Sequence, residues 1–174
     1  NWYALPGEVA EYEYDFGKQN WFHNNASEHQ AVRNALGIFD QSSFQKILVQ
    51  GKDAESVLNR IATANMSVAN GTVVYTQFLN QIGGVEADLT ITRLQANEYM
   101  VVTAAFTATH VKAWIDEHMS ENANCVLTDI SSSYAMLNIQ GPKSRSLLTA
   151  ISATNFSNED FPFGTMQPIE IGYQ

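Results

Sequence analysis

Positive charge is scarce in this chain. Nine Lys and Arg residues stand against 18 Asp and Glu residues, and the formal net charge at pH 7 is -9. A nucleic-acid partner needs lysine and arginine side chains to neutralise its phosphates, so this balance argues against binding to DNA or RNA. The composition favours a small molecule or another protein as the partner.

Cysteine and long apolar runs are nearly absent too. The single cysteine, Cys125, has no partner for an internal disulfide, so nothing requires an oxidising compartment, and a cytoplasmic or mitochondrial-matrix setting fits. No run approaches the roughly 18 apolar residues of a membrane-spanning helix, and the amino terminus lacks a signal-peptide pattern. We therefore predict no membrane partner.

Local motifs of the common enzyme classes are also missing. The sequence contains no nucleophile elbow, phosphate-binding loop or dinucleotide fingerprint. His23 and His29 do not share a helix face, and His110 and His118 lack the spacing of metal ligands, so we predict no metal site. Cys125 falls in a predicted strand, where a buried and unreactive thiol is expected.

The order of the helix and strand patterns predicts the fold. An amphipathic helix is predicted from Ala26, with Ser27 as its cap and Gly37 as its stop. Seven elements then follow between Lys46 and Ile130 as strand, helix, two hairpin strands, strand, helix and strand, carried by KILVQ, KDAESVLNRI, VVYTQFLN, VEADLTITRL, YMVVTAA, residues 107–119 and NCVLTDI. This order predicts an α+β fold of the ferredoxin-like kind, an antiparallel sheet with helices on one face.

One strand–helix segment of the chain occurs twice. KILVQGKDAESVLNRI at residues 46–61 matches MLNIQGPKSRSLLTAI at residues 136–151, with the Gln-Gly pair in register. We interpret each copy as a strand, a turn at Gly51 or Gly141, and a helix. The alternative is a chance similarity of two ordinary strand–helix units.

Asp88 is the most informative polar residue. In the strand GGVEADLTITRL, alternation puts Asp88, Thr90 and Thr92 on one face and Leu89 and Ile91 on the other. If the apolar pair packs against the helices, the carboxylate and hydroxyls line the opposite surface of the sheet. In a solitary domain these groups are solvated. If a second domain covers that surface, they become the polar groups of an apolar cleft.

Three successive motifs resemble the folate-binding aminomethyltransferase family, which includes the T-protein of glycine cleavage. They are GIFDQSSFQKI, GTVVYTQFLNQIGGVEADLTITRL and IQGPKSRSLL. The resemblance runs from about Trp21 to Leu148. The preceding segment YEYDFGKQNWFHNNASEHQAVRNALGIFD is most similar to the carboxy-terminal half of dimethylglycine and sarcosine dehydrogenases.

The resemblance implies an activity as well as the aminomethyltransferase folate-binding fold. It implies that the region joins a one-carbon unit derived from an N-methyl amine to tetrahydrofolate, forming 5,10-methylenetetrahydrofolate. FAD is then expected only in an upstream flavin domain of the full-length chain. Two alternatives stay open: a glycine-cleavage aminomethyltransferase served by a lipoyl carrier protein, and a non-catalytic scaffold module of the same fold.

The resemblance also implies roles for single residues. Asp88 occupies the position of the family's key aspartate, beside the reacting folate nitrogens, and is the expected catalytic group. Val102 and Ala104 fall where the family lines the pterin slot, and Thr90 shares the face of Asp88. Phe44 is placed to pack against the folate ring, although core packing explains it equally well. Tyr75 is expected to be structural.

The same resemblance divides the chain. Residues 1–45 correspond to the first part of one folate-binding subdomain, residues 46–134 to a ferredoxin-like subdomain, and residues 135–174 to the truncated return of the first. The chain starts at Asn1 without a methionine and stops within an expected strand, so we predict a fragment. The family's pterin-gripping glutamate would lie beyond Gln174.

Overall fold

The computed structural model describes residues 4–172, and its first helix begins earlier than the sequence predicts. Helix α1 spans Phe22–Asn34, and its amino-terminal cap is Trp21, which makes no side-chain cap hydrogen bond. The predicted start at Ala26 with a Ser27 cap is therefore wrong, because Ser27 lies inside the helix. Gly37 does not act as the stop either, since the helix ends at Asn34 and Gly37 opens strand β1, Gly37–Asp40.

The next seven elements confirm the predicted order and the α+β fold class. They are β2 (Gln45–Gln50), α2 (Ala54–Ile61), β3 (Val73–Leu79), β4 (Val85–Gln95), β5 (Glu98–Thr103), α3 (Ala108–His118) and β6 (Val126–Asp129). All their strand pairings are antiparallel, and the sheet order is β3-β4-β5-β2-β6. The last four strands of this order have the ferredoxin-like arrangement, and β3 extends it at the edge.

Both helices of this unit pack on one face of the sheet. Side chains on that face alternate with outward ones along each strand, as the burial of Ile47 and Val49 in β2 shows. They form one core with the apolar faces of α2 and α3, and its fully or almost fully buried members include Leu58, Ile61, Phe78, Leu89, Ile91, Tyr99, Val101, Val111 and Ile115. Each buried side chain of this size contributes about 1.5–3 kcal/mol, so this core is what holds the sheet in place.

The β3–β4 hairpin sets the position of Asp88. Its turn is closed by the Asn80 amide, which bonds the Gly84 carbonyl at 2.9 Å, and Gly83 takes a φ of +82°. The Asn80 side-chain oxygen accepts two further backbone N–H groups, from Ile82 and Gly84. A bulge between Phe78 and Leu79 then shifts the register. Beyond it the pairing is regular, so the direction of the Asp88 side chain is fixed.

The repeated segment folds the same way in both copies. In the second, β7 (Leu137–Gln140) leads through Gly141 into α4 (Ser144–Ile151), and α2 and α4 are both eight residues long. Both turn glycines have positive φ, +136° and +114°, and a Cβ on either would lie within 2.0–2.6 Å of a backbone oxygen. The strand–glycine–helix interpretation of each copy is therefore confirmed, and only glycine fits at these two turns.

The second copy is less complete than the first. Strand β7 pairs antiparallel with β1, as β2 pairs with β6, but this second sheet has only these two strands within residues 4–172. Helix α4 has no buried side chain. The division of the chain at residues 45 and 134 stays a prediction.

None of the described helices has the length and apolarity to cross a membrane.

Candidate functional site

The candidate site lies on the open face, which we define as the surface of the five-stranded sheet opposite α2 and α3. Leu89 and Ile91 are buried toward the helices, so Asp88, Thr90 and Thr92 lie on the open face as the sequence predicts. Asp88 is exposed, whereas Thr92, farther along the strand, is only 3% exposed. The open face is therefore partly covered, and the Asp88 end is the accessible one.

Asp88 is held by two side chains of the neighbouring strand. The Tyr75 hydroxyl donates a hydrogen bond to Asp88 Oδ2 at 2.8 Å, and Gln77 Nε2 lies 3.4 Å from Oδ1. Gln77 is directly opposite Asp88 in the ladder, and Tyr75 reaches it diagonally from the position opposite Thr90. This hydrogen bond raises the pKa of Tyr75, because a proton shared with a carboxylate is harder to remove.

Asp88 takes part in no ion pair among the described residues. The ion pairs found among residues 4–172 join other side chains: Arg93 with Glu55, His110 with Glu86, and Lys112 with Asp116. A carboxylate that is hydrogen-bonded but not neutralised can attract a cation or accept a proton. Asp88 is thus an oriented carboxylate on the open face that has no ion-pair partner among the described residues.

A mostly apolar pocket of about 470 Å³ lies on the open face. One wall is the sheet itself, with Leu48, Met100 and Val102, and the other is formed by the segment from Ile130 to Met136 together with Met166. Val102 is directly opposite Thr90 in the β4–β5 ladder. Thr90 is therefore the β4 neighbour of a pocket residue, and Asp88 lies two residues before it on the same face, outside the pocket lining. The size of the pocket suits a small ring-containing ligand.

Lys46 fixes one end of this pocket. It is 3% exposed, and its ammonium group donates to the carbonyls of Ser42, Phe44 and Ser131 at 3.1, 2.8 and 3.3 Å. These bonds tie the start of β2 to the chain that follows β6. The lysine is therefore committed to backbone oxygens and serves as a brace for the pocket wall.

The predicted site residues separate into two groups. Val102 lines the pocket, whereas Thr90, opposite Val102, and Asp88 lie on the same open face without lining it. Phe44 and Ala104 do not line the pocket. Phe44 is half-buried just before β2, and Ala104 follows β5, where its carbonyl accepts the Thr107 hydroxyl at 2.9 Å.

Sequence reasoning missed three contributors to this site. Tyr75 was expected to be structural, although the strand alternation that exposes Asp88 also exposes Tyr75 on the facing strand. Lys46 shares its face with Leu48 in the same alternation, which was an available signal. Met166 had no signal, because it reaches the pocket from a distant part of the chain.

A second depression, of about 660 Å³, lies on the outer surface of α2 and is larger but less suited to a ligand. Its walls are polar and wide open, and include Lys52, Arg60 and the Arg93–Glu55 ion pair. Arg93 is already paired with Glu55 and donates hydrogen bonds to the carbonyls of Val68 and Ala96. Ligand sites are usually concave and mostly apolar, so we place the site on the open face.

Comparison with known proteins identifies the family. The family model described as GCVT N-terminal domain matches residues 1–174. The chain belongs to this family. Its fold agrees with the crystal structure of the glycine cleavage system aminomethyltransferase T from Bartonella henselae, with a TM-score of 0.66 and 26% identity over 71% of this chain and 34% of that one.

Several longer proteins contain a similar segment. The chain is 39% identical to 4-methylaminobutanoate oxidase (formaldehyde-forming) from Paenarthrobacter nicotinovorans, over 99% of this chain and 21% of that protein. It is 33% identical to mitochondrial sarcosine dehydrogenase from Mus musculus, over 90% of this chain and 18% of that protein. It is 29% identical to the mitochondrial pyruvate dehydrogenase phosphatase regulatory subunit from Mus musculus, over 91% of this chain and 18% of that protein. The chain thus spans about a fifth of the length of these relatives.

Proposed function

We propose that this domain binds tetrahydrofolate on the open face and transfers a one-carbon unit to it, giving 5,10-methylenetetrahydrofolate. The observation that carries the proposal is the position of Asp88, an oriented carboxylate without an ion-pair partner among the described residues, on the same face of the sheet as an apolar pocket. Membership of the aminomethyltransferase family supports the reaction class.

The residues of the pocket fit the pterin end of a folate. A pterin is flat and aromatic, and Leu48, Met100 and Val102 present an apolar surface for its ring. Carboxylates lie toward the two ends of this surface, with Glu98 in the lining at one end and Asp88 beyond Val102, outside the lining, at the other. A ring held between them would therefore have its faces in contact with apolar side chains and its edges near carboxylates.

Asp88 can act on charge and on protons. Tetrahydrofolate supplies, when bound, the amine nitrogens that accept a one-carbon unit at the formaldehyde level. The Asp88 carboxylate attracts positive charge that develops close to it, and it can take up a proton that must leave. Tyr75 bonds Oδ2, so the oxygen available for proton uptake is Oδ1, where Gln77 is a long 3.4 Å away.

Two relatives support a source for the one-carbon unit. An oxidase and a dehydrogenase of N-methyl amines carry a segment like this chain in a much longer polypeptide. We propose that this domain serves the same kind of protein, in which an upstream FAD-containing domain oxidises the amine. A glycine-cleavage type of aminomethyltransferase is the alternative, supported by the Bartonella henselae structure.

One relative favours a different function. The pyruvate dehydrogenase phosphatase regulatory subunit is named for regulation, although it matches 91% of this chain. A scaffold role predicts that reduced folates have no effect on the protein. The two functions are therefore separated by folate binding.

The catalytic proposal is tested by replacing Asp88 in the full-length protein. Asp88→Asn keeps the shape and an oxygen acceptor for Tyr75 but removes the charge. It should lower the rate of one-carbon transfer by about 10²- to 10⁴-fold, the range for losing a general acid or base. Asp116→Asn is the matched control, an exposed aspartate on α3 that forms an ion pair with Lys112. Equal rates in the two variants would refute the role of Asp88.

A further inference from the structure

Methionine is concentrated in the apolar pocket of the open face. The chain has five methionines, and Met100, Met136 and Met166 all line this one pocket. The other two, Met66 and Met119, belong to the helix side of the sheet. A thioether is flexible and polarisable, and it makes favourable contacts with aromatic rings, so a pocket rich in methionine suits a flat ring.

We propose that Met166 is a ligand-contacting residue that sets the affinity of this pocket for the folate ring. We also propose that it is positioned by the docking of its segment, residues 162–168, on Gly71. We call this segment the strap. The inference rests on the proposed function, because it concerns the ligand of the same pocket.

The strap is held to the sheet by its backbone. The Met166 amide donates to the Gly71 carbonyl at 2.7 Å, and the Val73 amide donates to the Gly164 carbonyl at 2.8 Å. Thr72 and Thr165 form an antiparallel bridge between these two bonds. None of these contacts uses the Met166 side chain, so that side chain can be changed without removing the bonds that dock the strap.

Gly71 is the anchor of this arrangement. Its φ is +81°, and a Cβ added there would lie 3.0 Å from the Met166 carbonyl oxygen. Its amide also bonds the Arg93 carbonyl at 2.6 Å, so it cannot move away from β4 easily. A side chain at position 71 would therefore push against the strap at the residue that enters the pocket.

Met166 has room to gain contacts when a ligand is present. Its side chain lines the pocket but is still 37% exposed. A ring placed between Met100 and Met166 would cover part of this surface. A thioether–aromatic contact of the usual strength changes affinity by about 2- to 10-fold, which is the effect expected of Met166.

The first experiment measures affinity in the full-length protein, with 5-formyltetrahydrofolate as the probe and calorimetry as the readout. Met166→Ala should weaken binding by about 2- to 10-fold, and Met166→Leu, which restores the volume, should recover part of the loss. Met119→Ala is the matched control, since it removes the same atoms from a half-buried methionine on the helix side. It should leave the affinity unchanged.

The outcomes distinguish this inference from the proposed function. Absence of binding by the unsubstituted protein would overturn the proposed function and this inference with it. Normal binding that is equally insensitive to Met166→Ala and Met119→Ala would overturn the role of Met166 alone.

The second experiment tests the anchor without any ligand. The methionine methyl groups of this chain are labelled with ¹³C, and the Met166 signal is assigned by its loss in Met166→Leu. Gly71→Ala should shift the Met166 signal, whereas Gly83→Ala should not. Gly83 has nearly the same φ, +82°, but nothing lies within 4 Å of an added Cβ, so it carries the same backbone strain without the contact. An unchanged Met166 signal in Gly71→Ala would refute the docking of the strap on Gly71.

Discussion

Leu58 and Leu148 occupy matching positions in the repeated segment, and truncating each to alanine should have unequal effects. Leu58 lies in α2 and is fully buried in the core, whereas Leu148 lies in α4, which has no buried side chain. The two substitutions remove the same three carbon atoms from equivalent helices. Their difference therefore measures how much of the second unit is packed in this chain.

The expected magnitudes follow from burial. Removing three buried carbons costs about 2–2.5 kcal/mol of transfer free energy, and the cavity left at a fully buried site raises the loss to about 3–5 kcal/mol for Leu58→Ala. Leu148 is only half-buried, and no closed cavity forms around it. Leu148→Ala should therefore lower the free energy of unfolding by about 1 kcal/mol or less.

Urea unfolding of this chain, followed by far-ultraviolet circular dichroism, gives both values. Unchanged slopes with denaturant would show that each substitution alters stability and not the extent of unfolding. Losses of equal size would refute the reasoning, because they would mean that α4 packs as tightly as α2 in solution.

Three further predictions concern titratable groups. Asp88→Asn should lower the pKa of Tyr75 toward 10.0, because the hydrogen bond to the carboxylate is the main cause of the raised pKa. Titration of ¹³C-labelled tyrosine by NMR measures this pKa. An unchanged Tyr75 pKa in the variant would show that the bond is not formed. The pKa of Glu55 is held below 4.5, chiefly by the hydrogen bond from the Ser67 hydroxyl. The ionised Glu55 therefore stabilises the fold above pH 4.5, and this stabilisation is lost as the pH falls through the lowered folded-state pKa. In denaturant unfolding at a series of pH values, Glu55→Gln should reduce the loss of stability at acid pH, and an unaltered loss would contradict the assignment. Burial raises the pKa of the Cys125 thiol, so it should react with a thiol reagent only after unfolding, and rapid labelling of the native chain would contradict its burial.

The sequence was sufficient for most of the fold because the unit from β2 to β6 is locally consistent. Alternating side chains in β4 predicted which residues are buried, and the two Gln-Gly turns predicted where the helices follow. The errors lie near α1, whose start at Phe22 is not marked by a polar cap. Strand β1 was missed because its partner, β7, lies about 100 residues away in the chain, and local pattern cannot show such a pairing.

The site was predictable only where one strand determined it. Alternation placed Asp88 and Thr90 on the open face, and the facing strand could have supplied Tyr75 by the same argument. The second wall of the pocket could not be found in this way, because the segment from Ile130 to Met136 and Met166 arrive by connections outside the sheet. Ala104, expected in the slot by resemblance, does not line this pocket and directly precedes a short 3-10 helix, Ala105–Thr107.

The most direct measurement is calorimetric titration of 5-formyltetrahydrofolate into this chain and into the full-length protein. Each is titrated in its original form and with Asp88→Asn or Asp116→Asn. The proposed function predicts that the full-length protein binds the folate, that Asp88→Asn weakens this binding, and that Asp116→Asn does not. No binding by any form would contradict the folate site and favour a scaffold role for this fold.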